Sequence, residues 1–212
     1  MTASRPASSA ELVTAIGARR SIRRYRTDEL PWEQIERLLE AAIRAPSAHN
    51  RQPWRFAVLD EPESKDRLAR AMGARLRADR LADGDAEDVV QRDVARSHGR
   101  ITGAPAVIVV CLTLADMDAY PDARRAEAEY IMAAQGTAMA VGNLLLAARA
   151  EGLGACWMCA PLFCPDTVVE ALGLPADWRP QALITLGRPA DDGRARARKP
   201  LADLLWRPPG GR

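Results

Sequence analysis

The chain is poor in aromatic residues, in lysine and in net charge. Aromatic residues make up 5% of its 212 residues, so the core must be built from Ala, Leu, Val and Ile. The 30 basic and 28 acidic side chains nearly cancel, which argues against a general nucleic-acid binder because such proteins carry a concentrated basic excess. Lys65 and Lys199 are the only lysines. The remaining basic residues are arginines, which bind phosphate and carboxylate through two parallel N–H bonds.

Cysteines are also few, and four of them do not form a disulfide scaffold at this length. The first ten residues show no charged-then-apolar leader, so we expect no secretory signal, reduced thiols and a cytoplasmic protein. The glycine-rich loops that bind dinucleotides or nucleotide phosphates are absent, and so is the G-x-S-x-G of hydrolases. Carboxylates are plentiful but unpatterned, so no catalytic acid or base is predicted. No metal site is predicted either, because the three clustered cysteines are one ligand short of a closed site.

The order of predicted elements favours an α+β protein of one domain. Helical and strand segments mix without a regular strand–helix–strand rhythm, which argues against a doubly wound parallel sheet. We predict a flexible tail over residues 1–8, a domain over 9–190 and an extended basic arm over 191–212. Within the domain, helices are predicted over 9–20, from Pro31 to Ile43, over a charged region at 61–100 broken near Gly84, at 123–150 and at 165–172; strands are predicted at 55–59, 106–113 and 181–186, and residues 155–160 are read as strand or loop.

The predicted long helix has an uncharged middle from Tyr130 to Ala148. A membrane span is one interpretation of such a stretch. Gln135, Thr137 and Asn143 interrupt it, so a helix buried all round in a protein without a membrane segment is favoured. Its many small residues would let another backbone approach closely, as at a subunit interface.

Three segments could carry chemistry, and each has a structural alternative. Arg19, Arg20, Ser21 and Arg23 could surround a phosphate, or form a solvated basic turn. The loop APSAHNRQPW at 45–54 could present fixed polar groups to a heteroaromatic ring, or simply connect a helix to a strand. The segment GLGACWMCAPLFC suggests a Cys156-x-x-Cys159 dithiol or a metal site with Cys164, or soft buried residues beside a ring or core.

Together these segments resemble the FMN-dependent nitroreductase family. The resemblance rests on RRSIRRY, APSAHNRQPWRF, EGLGACWM and ITLGRP followed by RARARKPL, in that order over residues 12–205. It implies an α+β sandwich with an antiparallel central sheet flanked by helices. It also implies a homodimer that binds FMN at its interface and exchanges C-terminal arms.

The resemblance also implies roles for individual residues. The arginine-rich segment would hold the FMN phosphate and ribityl chain, the proline-bounded loop would reach the flavin ring from the partner subunit, and the GLG segment would line the other side of the ring. A basic pair near the C-terminus would close on the phosphate. The residues concerned are Arg19, Arg20, Ser21 and Arg23; Pro46, Ser47, Ala48, His49 and Asn50; Gly154, Ala155, Cys156 and Trp157; and Arg198 and Lys199, with Arg196 as a register alternative.

The implied reaction is a ping-pong transfer of hydride through bound FMN. The donor would be a reduced nicotinamide, such as NADPH, or a reduced deazaflavin, and the acceptor a small molecule. The stretch from Cys156 to Pro189 is similar to the flavin domain of deazaflavin-coenzyme biosynthesis enzymes, which reduces a dehydro precursor. Alternatives are a general NAD(P)H-dependent nitro, quinone or enone reductase, a non-redox FMN-binding member of the same fold, and a non-enzymatic protein that grips another phosphate ligand.

Overall fold

A computed structural model describes residues 9–208 of the chain; the predicted tail at 1–8 lies outside these residues. Six α-helices and four β-strands are present in this part. Their bounds are α1 Ser9–Ala18, α2 Trp32–Ala42, β1 Trp54–Leu59, α3 Pro62–Ala82, α4 Glu87–Thr102, β2 Ala106–Leu112, α5 Ala123–Ala150, β3 Gly154–Met158, α6 Pro165–Leu172 and β4 Arg179–Gly187.

The strands form one antiparallel sheet in the order β1-β2-β4-β3. Every residue of β2 is buried, because both faces of the sheet are covered. Ile108 and Val110 pack with α2 and α5 on one face, while Val107 and Val109 pack with α3 and α6 on the other. This α+β sandwich, with helices on both faces of an antiparallel sheet, confirms the predicted fold class. The continuous apolar run in β2 has the same cause as in buried parallel strands: there is no solvent-facing side.

One predicted element needs correction, and one open reading is resolved. Helix α1 ends at Ala18 rather than at Arg20, because the guanidinium of Arg20 donates a 2.6 Å hydrogen bond to the carbonyl of Gly17 at the helix end. The ambiguous stretch after residue 154 is a strand, β3, as its pairing with β4 requires. The bounds of α5 and α6 agree with the prediction.

Helix α5 is not buried all round. Its side that carries Ala133, Val141 and Leu144 packs into the core. The opposite side leaves Ile131 and Met139 each 45% exposed. By length and apolarity α5 could cross a membrane, but its packing against α2 and the sheet is that of a core helix with one uncovered face.

The α3–α4 hairpin is fixed at both ends. Near the sheet, the buried ammonium of Lys65 donates to the carbonyls of Ala104 and Pro105 at 2.8 and 2.9 Å. At the far end, Arg80 pairs with both Asp85 and Asp93. These contacts hold the hairpin in place, and with it the side chains that α4 directs toward β3.

Candidate functional site

The segment Arg19–Arg26 (RRSIRRYR), here called the arginine segment, runs along the sheet edge in extended form. The backbone N–H of Ile22 donates to the carbonyl of Ala155 at 3.1 Å, and that of Arg26 donates to Arg188 at 2.9 Å. The Tyr25 hydroxyl lies 2.6 Å from the carbonyl oxygen of Ile22 and 2.7 Å from Thr185 Oγ1. Burial raises the pKa of Tyr25, which keeps the phenol protonated. The segment is thereby attached to β3 and β4, and its arginines stand beside the predicted flavin-lining strand.

Two glycines permit this attachment. A Cβ on Gly154 would lie 2.7 Å from Ile22 side-chain atoms, so only glycine lets β3 and the arginine segment approach this closely. Gly193 has a φ of +68° and a Cβ there would meet Ile22 Cδ1 at 2.8 Å, so the chain beyond β4 also turns back against this segment. The start of the C-terminal arm and the arginine segment therefore form one surface.

Two cavities open beside this surface and share Arg19. The first, of about 330 Å³, is lined by Arg19, Arg20, Arg149, Ala155 and Asp191 among others. The second, of about 520 Å³, brings together Arg19, Ser21, Pro46, Met139 and Trp157. The structure thus gathers residues from all three sequence segments around Arg19. Within the described residues, Arg19 has no carboxylate partner.

The loop at 45–54 has an unusual backbone. His49, Asn50 and Gln52 have positive φ values of 49°, 55° and 50°, a region that non-glycine residues adopt at a cost and that is often found at ligand sites. The loop is fixed by the Ser47 hydroxyl, which accepts from the Gln52 N–H at 3.0 Å. It also packs on α5, where a Cβ on Gly136 would lie 3.3 Å from Ser47 Cβ.

This loop directs its polar side chains outward. His49 and Asn50 are exposed, and Ser47 and Ala48 are half-buried. Of the predicted loop residues, Pro46 lines a cavity together with Arg19 and Trp157. The structure therefore does not bring the polar side chains of the loop to the arginine segment of the same chain.

Trp157 separates the 520 Å³ cavity from a further groove of about 350 Å³, and it lines both. Its indole nitrogen is buried and has no hydrogen-bond partner among residues 9–208. An unsatisfied buried donor costs about 1–3 kcal/mol, so an acceptor is missing at this wall. The 350 Å³ groove is also lined by Arg23 and Cys156. These two predicted site residues therefore lie on the opposite side of Trp157 from the 520 Å³ cavity.

The predicted basic pair of the arm is not part of these cavities. Arg198 and Lys199 are exposed, and the Arg198 guanidinium donates to the backbone carbonyl of Arg196. Arg194 is the basic residue of the described part of the arm that lines a groove, where it lies with Arg23, Arg100 and the arm carboxylates Asp191 and Asp192. The role of Arg198 and Lys199 stays a prediction.

Sequence reasoning missed Arg96, Arg100 and Arg149, which line the cavities beside the arginine segment. The four-residue spacing of Arg96 and Arg100 puts both on one face of α4, and this was the available signal. In a helix with charges on every side, that spacing alone does not show which face meets the site.

All four cysteines are free thiols, and no group of three possible metal ligands occurs among residues 9–208. Burial raises the pKa of Cys111 to about 12 and also raises the pKa values of Cys156 and Cys164. Cys159 is exposed.

These differences predict the order of alkylation. Because the thiolate is the nucleophile, iodoacetamide at pH 8 should modify Cys159 at least about tenfold faster than the three buried thiols. Peptide mass spectrometry over time measures the rates, and the urea-unfolded chain, where all four should react alike, is the control. Equal rates for Cys156 and Cys159 in the folded protein would contradict the assignment.

The fold and these cavities define an α+β protein whose candidate ligand site lies at the edge of the sheet and is lined by arginines. Residues 16–188 match the model of the nitroreductase family, and the chain belongs to that family. It is 33% identical to an NADH dehydrogenase of Thermus thermophilus, with 92% of this chain and 95% of that protein aligned. It is 30% identical to a 5,6-dimethylbenzimidazole synthase of Rhodospirillum rubrum, over 82% and 80% of the two chains.

A solved structure described as a nitroreductase of Desulfovibrio desulfuricans in complex with FMN is similar over 94% of this chain and 98% of that one. Its TM-score is 0.72 and its sequence identity 32%. These comparisons confirm the predicted family and, with the family, the prediction of an FMN-dependent oxidoreductase.

Proposed function

We propose that this protein is a homodimeric reductase that takes hydride from a reduced nicotinamide, with NADPH or NADH as donor, and passes it through FMN to a small organic acceptor. The observation that carries the proposal is the convergence of Arg19, Ser21, Pro46 and Trp157 around one cavity. Donor and acceptor would occupy the same place in turn. FMN supplies the hydride chemistry, and the protein supplies binding, orientation and electrostatics.

The residues of the cavities fit FMN. A phosphate needs cations and N–H donors, which Arg19, Arg20 and Ser21 provide. The unpartnered indole N–H of Trp157 matches a group rich in hydrogen-bond acceptors. The guanidinium of Arg23, beside Cys156 and Trp157, offsets the negative charge that reduction adds to an isoalloxazine ring.

The dimer is supported by apolar surface that one chain leaves uncovered. Leu12, Val13 and Ile16 of α1 are each more than half exposed, as are Leu201, Leu204 and Trp206 of the arm. Ile131 and Met139 of α5 are each 45% exposed as well. A second copy would cover such surface, and its loop at 45–54 would bring the outward-facing His49 and Asn50 toward the site.

The proposal includes three candidate reactions. A nicotinamide-dependent reductase agrees with the T. thermophilus relative named NADH dehydrogenase. Reduction of a dehydro precursor in deazaflavin-coenzyme biosynthesis, with a reduced deazaflavin as donor, rests on the likeness of residues 156–189 alone. The third candidate is a member of the same fold that binds FMN without serving as a reductase; the R. rubrum relative is named as a synthase and not as a reductase.

One preparation of the native protein tests the proposal. Sedimentation should give a mass near twice the 23.1 kDa of one chain, and the spectrum should show bound flavin. Anaerobic NADPH or NADH should bleach the flavin band, and an added quinone should restore it fully. Partial restoration with loss of flavin would instead indicate a protein that consumes FMN, and a colourless monomer that ignores added FMN would overturn the proposal.

A further inference from the structure

The first residues of the C-terminal arm bring negative charge to the proposed phosphate site. Asp191 and Asp192 line the cavity of about 330 Å³ that is also lined by Arg19 and Arg20. They line as well a groove of about 740 Å³ on which Arg23 lies. The sequence predicted that the arm contributes cations to the phosphate, whereas the structure puts two carboxylates of the arm beside two groups of arginines.

The backbone fixes the position of these carboxylates. The N–H of Ala190 donates to the carbonyl of Arg24 at 3.1 Å, which attaches the start of the arm to the arginine segment. Asp191 Oδ1 accepts from the N–H of Gly193 at 2.9 Å, and Gly193 has the positive φ described above. Asp192 lies within this turn. The turn therefore holds both carboxylates beside the arginine segment.

Neither carboxylate is neutralised by a strong ion pair of its own. Asp191 Oδ2 lies 4.0 Å from Arg24 Nε, and the Arg24 side chain is 82% exposed. An ion pair at such exposure contributes little. Asp192 forms no ion pair among the residues that the structure describes. Both groups therefore keep a negative charge that can act on a ligand in the cavity.

A phosphate in this cavity would meet charges of both signs. At pH 7 a phosphate monoester carries about −1.5 to −2 charges, which the guanidiniums attract and the two carboxylates repel. Without a phosphate, the same carboxylates offset the mutual repulsion of the arginines. Asp191 and Asp192 thus stabilise the empty site and destabilise the loaded one.

We infer that Asp191 and Asp192 weaken the binding of the FMN phosphate, so that the flavin of this protein exchanges with free FMN. This role rests on the proposed function and concerns the affinity of the same site for its cofactor. Both residues act through their charge on the phosphate and take no part in hydride transfer.

The test measures the flavin affinity of the apoprotein with and without these charges. The variant is Asp191→Asn with Asp192→Asn, because asparagine keeps the side-chain oxygen that accepts from Gly193. The control is Asp83→Asn with Asp88→Asn, which removes the same charge from the α3–α4 hairpin, outside the two cavities. Quenching of flavin fluorescence gives the Kd for FMN and for riboflavin, which has the same ring without the phosphate.

In the double variant, the Kd for FMN should fall at least about fivefold, because two negative charges near the phosphate are removed. The Kd for riboflavin should change by less than about twofold, since riboflavin has no phosphate for the carboxylates to repel. At about 1 M salt, where the Debye length is about 3 Å, the gain for FMN should shrink. Asp192→Asn alone leaves the turn bond of Asp191 intact and should give part of the gain, so it serves as the test if the double variant does not fold.

Three results would overturn the inference. They are an unchanged or higher Kd for FMN in the variants, an equal fall in the Kd for riboflavin, and an equal fall in the control variant. In each case, wild-type protein that binds FMN and is bleached by NADPH or NADH would leave the proposed function intact. Wild-type apoprotein that binds neither flavin would instead end the proposed function.

Discussion

Replacing Arg19 and Arg23 together by alanine should weaken FMN binding by about a hundredfold or more. Arg19 lines the cavity assigned to the phosphate, and Arg23 lies beside Trp157, where the ring is expected. Each charge-assisted hydrogen bond to FMN contributes about 1.5–3 kcal/mol, and about 1.4 kcal/mol is a factor of ten in affinity. Neither side chain has a carboxylate partner within residues 9–208, so their loss should cost the fold little. Flavin absorbance after gel filtration and the Kd of the apoprotein for added FMN measure the effect.

The matched control removes the same charge elsewhere. Arg75 and Arg92 form exposed pairs with Asp79 and Asp88 on α3 and α4, away from the cavities. The double alanine variant of these two should retain FMN. If the Arg19 and Arg23 variant kept its flavin at wild-type affinity, the arginine segment would not be the phosphate site.

Gly154→Ala should destabilise the protein and release FMN together. The new methyl group would lie 2.7 Å from Ile22 side-chain atoms in a buried strand, where overpacking costs about 1–3 kcal/mol. The strain would push the arginine segment away from β3. We expect a melting temperature lower by several degrees and a raised Kd for FMN, measured by thermal denaturation and flavin titration.

Gly99→Ala in α4 is the control for this substitution. A Cβ at Gly99 has no neighbour within 4 Å, and alanine is the better helix former, so stability should stay equal or rise. A Gly154→Ala protein that melts at the wild-type temperature would show that β3 and the arginine segment can separate without cost.

The sequence predicted correctly those elements whose ends are determined by neighbouring residues in the chain. Helix α5 has its predicted bounds because Asp122 caps its first turn by accepting from the Arg125 N–H and Gly152 follows its last turn. Strand β2 was predictable from its β-branched run alone. The extent of α1 was not, because the bond from Arg20 to the Gly17 carbonyl depends on where the following segment runs.

The sequence predicted the three segments that form the candidate site, but it did not predict all the residues that line it. Resemblance of short motifs led to Arg19, Ser21, Pro46 and Trp157, which meet in one cavity. Arg96 and Arg100 were not predicted as site residues, because the charge pattern of α4 does not show which face of the helix meets β3. The positive φ values of His49 and Asn50 were not predicted either, since neither residue is a glycine.

The strand order has a consequence for how the protein acquires its cofactor. Among residues 9–208, β3 pairs with β4 and with no other strand, and β4 follows the other three strands along the chain. The Ile22–Ala155 hydrogen bond that attaches the arginine segment therefore lacks its supporting strand until β4 has been synthesised. Stable binding of FMN must therefore await the synthesis of β4, and cells short of riboflavin should accumulate a more easily unfolded apoprotein.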